Sequence, residues 1–353
     1  MKVLGLERYA LTISAAAVLL TGCGGSPSPI GAPGAMPQSR TMTTRHDRGG
    51  SWMLPEVTAE DLLYVSSPDD KNDDINVFSY PQGKLVGGLS ITGYGVFGLC
   101  SDDKGNVFVT TAGNVNSGTS SQVYEYAHGG TQPIATLSDP AFGNDCAVDP
   151  TTGNLAVAND FGTGNGYDHG NVAVYQGGQG SATIYYDPDI YWYDWCVYDS
   201  NGNLYVDGSS EGGPYPLAEL PKNGSAFEAV TLNETPLAES LQWDAGDLVI
   251  SGWQWQKRQA TETIYRVKLS GSRGTVVGTT TISTETKPRK RLPNLAQYTL
   301  YRKTLVGAGF NDRQVHFWRY PAGGLPTKSL LASEKYPAYG VAISVAPTHS
   351  LRK

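Results

Sequence analysis

The chain has 353 residues, 43 of them glycine and 21 tyrosine, with 17% charged residues and a formal net charge of −7. So much glycine with so little charge disfavours long helices, while 39% hydrophobic residues suffice for a core and exclude wholesale disorder. The acidic balance argues against nucleic-acid binding, which needs a basic surface to neutralise phosphates.

At the N-terminus, Lys2 and Arg8 precede or flank an apolar stretch, Tyr9 to Leu20, that is too short to span a membrane. The stretch ends Leu20-Thr21-Gly22-Cys23. This ending resembles the lipobox of bacterial lipoproteins. The resemblance implies cleavage before Cys23, lipidation of its thiol, and a protein tethered to a bacterial membrane facing the periplasm or the cell exterior. An ordinary secretory signal with a chance cysteine is the alternative, and both predict export. Loss of residues 1–22 removes Lys2, Glu7 and Arg8, which takes the formal charge to −8. Residues 23–58 follow as a lipidated cysteine and a flexible linker, rich in Gly, Pro, Ser, Thr and Arg and without apolar periodicity.

Residues 59–347 read as repeats of one unit, with 348–353 as a tail. The phrase Asp102-Asp-Lys-Gly-Asn106 leads into Val107-Phe-Val-Thr110, Asp149-Pro-Thr-Thr-Gly-Asn154 into Leu155-Ala-Val-Ala158, and Asp199-Ser-Asn-Gly-Asn203 into Leu204-Tyr-Val-Asp207. Asp244-Ala-Gly-Asp247 before Leu248-Val-Ile250 is a worn fourth copy. The turns are 48, 49 and 44 residues apart, and the next falls near Lys303-Thr304 after a longer step carrying the insertion Thr284–Pro293. Such spacing is that of propeller blades. Each unit divides into four runs rich in Val, Ile, Tyr and Phe, as strands prefer. Leu62–Val65 lacks a preceding strand and Tyr339–Val345 lacks a following one, so joining them makes one blade from both ends. The prediction is an all-β, six-bladed β-propeller closed by the C-terminal strand.

The Gly-Asn turn followed by Leu/Val-(Tyr/Phe/Ala)-Val resembles NHL-type propeller repeats and, more distantly, gluconolactonase-like six-bladed propellers. That resemblance speaks to fold and leaves function open among enzymes, binding modules and scaffolds.

Two motifs fail on context. Gly208-Ser-Ser-Glu-Gly212 fits a nucleophile elbow but lies between strands rather than opening a helix. Gly93-Tyr-Gly-Val-Phe-Gly98 fits a dinucleotide loop but opens a strand. Asp70, Asn72 and Asp74 alternate like calcium ligands, yet Ile75 replaces the expected Gly and Pro81 the expected Glu, so this is read as an acidic turn. Cys100, Cys146 and Cys196 fall on the innermost strands of three successive blades. Two of them can pair in an oxidising compartment, but repeat equivalence favours three packed thiols. Lys287–Arg291 reads as a solvated insertion.

The repeat register aligns Asn144, Asp194 and Glu239 where innermost strands begin, beside the central axis. Gluconolactonase-like propellers hold a divalent cation at a comparable place, so the resemblance implies a possible calcium-like cation there and no assured cofactor. Aromatic residues gather at the same end. Tyr94, Phe142, Trp192, Tyr193 and Tyr339 come from the innermost strands, His169 and Trp253 from neighbouring loops. They are read as candidates for a rim that holds a small molecule, a glycan or a protein, or alternatively as packing between blades. The expected function is a lipid-anchored binding module with no catalysis assigned and no coupled acid–base pair. The alternatives are a metal-dependent lactonase-like hydrolase and a passive envelope scaffold.

Overall fold

The computed structural model describes residues 50–68, 73–91, 95–113, 121–162, 169–210, 215–234, 238–256, 259–284 and 294–347; the side chains of 73, 74, 238, 239, 253–256 and 259–261 lie outside that description. Residues 48–353 form one compact unit, and Cys23 lies in the undescribed residues before it. Six small sheets of four or five strands succeed one another along the chain. They pack in a ring as a six-bladed β-propeller, as the repeat spacing predicts. Blade one takes Val341–Ser344 as its innermost strand, with Leu62 opposite Ser344 and Val65 opposite Val341. The C-terminal strand therefore closes the ring.

Burial explains why the strands are so apolar. Both faces of each blade are covered, so successive residues along a strand are all buried and alternate in direction. In Leu62–Ser67, Leu62 and Tyr64 pack against blade two, while Leu63 and Val65 pack against blade six. Six hydrophobic clusters result, one in each interface between neighbouring blades.

The repeated Asp…Gly-Asn phrase is the hairpin between the innermost and second strands. Asp199 accepts from the Asn201 and Asn203 backbone N–H groups and from Asn203 Nδ2, each at 2.8 Å. Asp102 does the same toward Lys104 and Asn106. Gly105, Gly153 and Gly202 stand at φ of 85°, 73° and 90°, where a Cβ is disfavoured. The asparagine then reaches outward: Asn154 Oδ1 accepts from Gly177 N and Asn203 Oδ1 from Lys222 N, both at 2.9 Å. One side-chain pair thus ties two turns of a blade. Blades five and six use two-residue turns instead, with Ala245 and Gly246 at φ of 51° and 92° and Arg302 and Lys303 at 46° and 63°. A two-residue hairpin has no room for the Asp cap, which is why the phrase wears out there.

Three differences from the sequence expectations have physical causes. The first blade begins before residue 59: Trp52–Met53 pairs with Gly87 and Gly88 as an added edge strand. Those glycines leave space for the added side chains, since a Cβ on Gly88 would come within 3.1 Å of Trp52 Nε1. Trp253 and Trp255 are not in a loop, because Asp247–Gln256 and Gln259–Ser270 continue as one long hairpin. Finally, Cys100 and Cys146 form a disulfide, with Cα atoms 5.6 Å apart, and among the described residues Cys196 is the free cysteine. Three packed thiols were favoured because all three cysteines sit on innermost strands, but their registers differ. Cys146 and Cys196 face Val157 and Val206, whereas Cys100 faces Phe108, one residue out of step. One residue turns a side chain to the other face of its sheet. Cys100 therefore points toward blade three while Cys146 points back toward blade two.

Candidate ligand-binding mouth

At the opposite end from the Gly-Asn turns, the innermost strands share a second repeated feature. Each of blades two to six has a register shift at the same level. It leaves Phe97-Gly98, Asn144, Asp194, Glu239-Ser240 and Ala296-Gln297 outside the regular pairing. In blade one, Tyr339 and Gly340 stand at the equivalent point and bond to the Ser66 backbone at 3.0 Å. Bulges re-aim side chains, and here they recur at one level in five successive blades.

Small residues make the convergence possible. A Cβ on Gly98 would lie 2.5 Å from the Asn144 carbonyl and 2.7 Å from Asp145 Cα. Gly98, the last glycine of that pattern, therefore marks a close approach of backbones within a strand and not a dinucleotide loop. The Gly208 of the supposed nucleophile elbow lies within the strand Leu204–Ser209, where a Cβ would collide with the Trp192 carbonyl.

Below the mouth the axis is plugged. Gln297 is buried and uses its whole amide: Oε1 accepts from Leu99 N at 3.1 Å and Val341 N at 2.8 Å, while Nε2 donates to Leu99 O at 2.9 Å and Asp145 Oδ1 at 2.7 Å. Asp145 Oδ2 accepts from Cys196 N at 3.0 Å. Burial pushes the Asp145 carboxyl up to about 8 despite the Cys196 and Cys146 N–H groups that oppose it. Blades one, two, three, four and six thus meet through two side chains.

Above the plug the lining is aromatic. Phe97 lies edge-on to Phe142 at 4.8 Å and to Tyr339 at 5.0 Å, and Phe142 meets Phe161 at 4.4 Å. Trp195 stacks on Tyr339 at 6.0 Å, and Phe310, 41% exposed, meets Tyr339 at 6.3 Å. A second group joins His169 to Tyr191 at 4.1 Å and Tyr191 to Trp192 at 4.8 Å.

Asn144 and Asp194 are adjacent. Asn144 Nδ2 donates to the Asp194 carbonyl at 2.6 Å, and Tyr339 Oη donates to Asn144 Oδ1 at 2.5 Å. Asn144 is thereby engaged at both ends of its amide. The backbone of Glu239 occupies the matching bulge of blade five, and its side chain lies outside the described residues. Among the described residues, no group of three His, Cys, Asp or Glu side chains is arranged to hold a metal. Asp194 of blade four lies within electrostatic reach of Asp160, on the second strand of blade three. Burial pushes Asp160 up to about 6 and Asp194 up to about 7, and the Asp160 charge adds to the latter.

Of the other predicted rim residues, Phe142, Tyr339, Trp192 and His169 fall in the two aromatic groups. Tyr193 does not reach the rim: it is fully buried between blades three and four, its hydroxyl against the Asp187 backbone. Tyr94 lies outside the described residues, as do the Trp253 side chain and the acidic turn at 69–72. Gln297 and Asp145 were not singled out from the sequence. Their one signal is a polar residue inside an otherwise apolar innermost strand.

The fold and this mouth define the class, a six-bladed propeller with an aromatic, acidic axial face. No family model matches the chain, and no curated protein matches it. Among solved structures it is similar to a nidogen/laminin complex, with TM-score 0.55 and 14% identity over 81% of this chain and 99% of that one. It is also similar to a protein of unknown function from Bacteroides caccae, with TM-score 0.56 and 14% identity over 81% and 99%. TolB from Acinetobacter baumannii matches with TM-score 0.54 and 10% identity over 82% of this chain and 68% of that one. These likenesses are of fold.

Proposed function

We propose that this is an exported, lipid-anchored binding module that holds a ligand or protein partner at the bulge end of its propeller. The observation that carries this reading is the difference in how polar groups are used. At the turn end they are spent on the turns themselves, whereas the bulge end carries Asp194 in a bulge, Asp160 within its electrostatic reach, and the exposed Phe310 ring. A module that binds without reacting needs such a face and a rigid base. The nidogen/laminin match is by its own name a protein complex, which is in keeping with a protein partner here.

Export rests on the N-terminal segment and is supported by the Cys100–Cys146 disulfide, since such bonds persist in oxidising compartments. In this reading the repeats are of NHL type and Cys23 carries the lipid. Metabolic labelling with a fatty-acid precursor should mark the wild type and not Cys23→Ser. For the binding face, a photo-crosslinking amino acid at Phe310 should capture a partner in intact cells, and the same group at Asn201 on the turn end should not. Equal labelling at both positions contradicts the reading.

A metal-dependent hydrolase is the second reading, and the Asp160–Asp194 pair is the feature in its favour. It predicts that a chelator lowers the thermal midpoint, because a bound metal stabilises the state that holds it.

A further inference from the structure

On blade six a serine, a histidine and an aspartate are hydrogen-bonded in a row. His316 Nδ1 meets Ser329 Oγ at 2.7 Å, and His316 Nε2 meets Asp312 Oδ2 at 2.8 Å. A row of hydroxyl, base and orienting carboxylate is recognised by geometry and not by sequence order. His316 and Ser329 stand opposite each other on Gln314–Arg319 and Lys328–Leu331, the third and outermost strands of the blade. Ala332 N donates to the Arg313 carbonyl at 3.0 Å, one step outside the Gln314–Leu331 pair. Hydrogen-bonded and narrow pairs alternate from there, which makes His316–Ser329 a narrow pair with its side chains close together. Asp312 belongs to the hairpin just before His316. Gln314 N donates to its Oδ1 at 3.1 Å, and a Cβ on Gly309 would collide with that oxygen, so the glycine makes room for the carboxylate.

These bonds fix the protons. A carboxylate only accepts, so in the neutral imidazole Nε2 carries the hydrogen and Nδ1 presents its lone pair to the Ser329 hydroxyl. That is the tautomer a general base needs. The His316 side chain is 3% exposed and packs 5.4 Å from the Trp318 ring, so the base is held still. Ser329 is exposed, so its hydroxyl is open to a substrate. Blade one shows the structural counterpart. There His128 Nδ1 meets Ser344 Oγ at 2.6 Å, but Ser344 is fully buried and its hydroxyl donates to the Gly105 carbonyl. A tie that only holds the fold is closed off in that way; the blade-six row is open at its serine and backed by a carboxylate.

We propose that Ser329, His316 and Asp312 form a serine-hydrolase site on the flank of blade six that cleaves carboxylic esters with a short apolar acyl chain. Ser329 Oγ adds to the ester carbonyl carbon while its proton passes to His316 Nδ1. The bond to the alcohol oxygen breaks, and the alcohol leaves with that proton. Water then gives a proton to the same nitrogen and adds to the acyl carbon. The bond to Ser329 Oγ breaks, the carboxylic acid departs, and the proton returns to Ser329. Asp312 is the positioning residue: it holds the ring and stabilises the imidazolium formed in each half. In a narrow pair the Ser329 backbone N–H points away from Gln314–Arg319 to the open edge of the sheet, where it can donate to the developing oxyanion. Leu331, 38% exposed and two residues on, lies on the same face as Ser329 and offers apolar surface to the acyl chain. This site is independent of the mouth, so its failure would leave the binding-module reading standing.

The test treats the purified full chain with a fluorescent fluorophosphonate and, separately, with p-nitrophenyl butyrate. The expected result is a phosphonyl group mapped by peptide mass spectrometry to Ser329, and no labelling of Ser329→Ala. Ester turnover should fall about a hundredfold or more in Ser329→Ala and in Asp312→Asn, with the loss in kcat and KM held. Ser329 is exposed, so Ser329→Ala should keep the thermal midpoint, which certifies that the fold is intact. A folded wild type that is neither labelled nor active overturns the proposal. So does labelling or turnover that persists in Ser329→Ala, or turnover that a chelator abolishes. Labelling of Ser329 without turnover of the ester overturns the substrate class.

Discussion

The two ends of the propeller are built from the same strands and repeat with the same period, yet they use repetition differently. At the turn end the equivalent positions hold the same residues, Asp102, Asp149 and Asp199, and each spends its carboxylate on its own turn. At the bulge end the equivalent positions hold different residues: Gly98, Asn144, Asp194, Glu239, Gln297 and Gly340. A position that repeats in kind serves what every blade needs, which is a closed hairpin. A position that repeats only in place is free to differ from blade to blade. Function in a propeller is to be sought where the register repeats and the residue does not.

The largest effect should come from the covalent link near the axis. Replacing Cys100 and Cys146 by serine releases a closed segment with a sequence separation of 46. Chain-entropy arguments put the loss at about 4 kcal/mol, measured as a shift in denaturant unfolding. Gln297→Leu comes next. It leaves the Leu99 N–H and carbonyl, the Val341 N–H and Asp145 without their partner, at a cost of about 3 kcal/mol by the same assay. Asp199→Ala at the turn end removes three hydrogen bonds from a buried cap and should cost about 1–2 kcal/mol, with ligand affinity unchanged.

A separate effect is in pH. Asp139, Asp145, Asp160 and Asp194 all titrate higher in the folded protein than the ordinary value of 3.8, chiefly through burial. A raised carboxyl contributes stability that is complete below its unfolded value and is lost as pH rises through its folded one. Stability should therefore decline between about pH 4 and 8, each tenfold difference in proton affinity being worth about 1.4 kcal/mol. His128 acts in the other direction, since burial lowers it and its contribution is lost as pH falls below its unfolded value of 6.5. The decline is thus cleanest between pH 6.5 and 8, and thermal midpoints across that window should flatten in Asp194→Asn. Asp149, lowered by the Thr152 and Thr151 groups against its burial, gives its stability above the ordinary carboxyl range and loses it in acid.

The contrast between the ends also explains what could be read from the sequence. The Gly-Asn turns are local, so their spacing yields the blade count, and the unpaired strands at Leu62 and Val341 yield the closure. The bulges are legible only as an alignment, which brings Asn144, Asp194 and Glu239 to one level without saying where their side chains turn. Asp160 joins Asp194 across two blades, and Gln297 reaches Asp145 across 152 positions, so neither pairing leaves a local trace. The disulfide escaped for a finer reason, a single step of register that reverses the direction of Cys100.

One paired measurement tests the central claim that the bulge end binds while the turn end holds the fold. Partner affinity, read as the crosslinking yield at Phe310, and thermal midpoint are measured on Asp194→Asn and Asp199→Ala. The account predicts that Asp194→Asn loses affinity with no fall in midpoint, whereas Asp199→Ala keeps affinity and loses several degrees. Loss of affinity in Asp199→Ala with none in Asp194→Asn would contradict it.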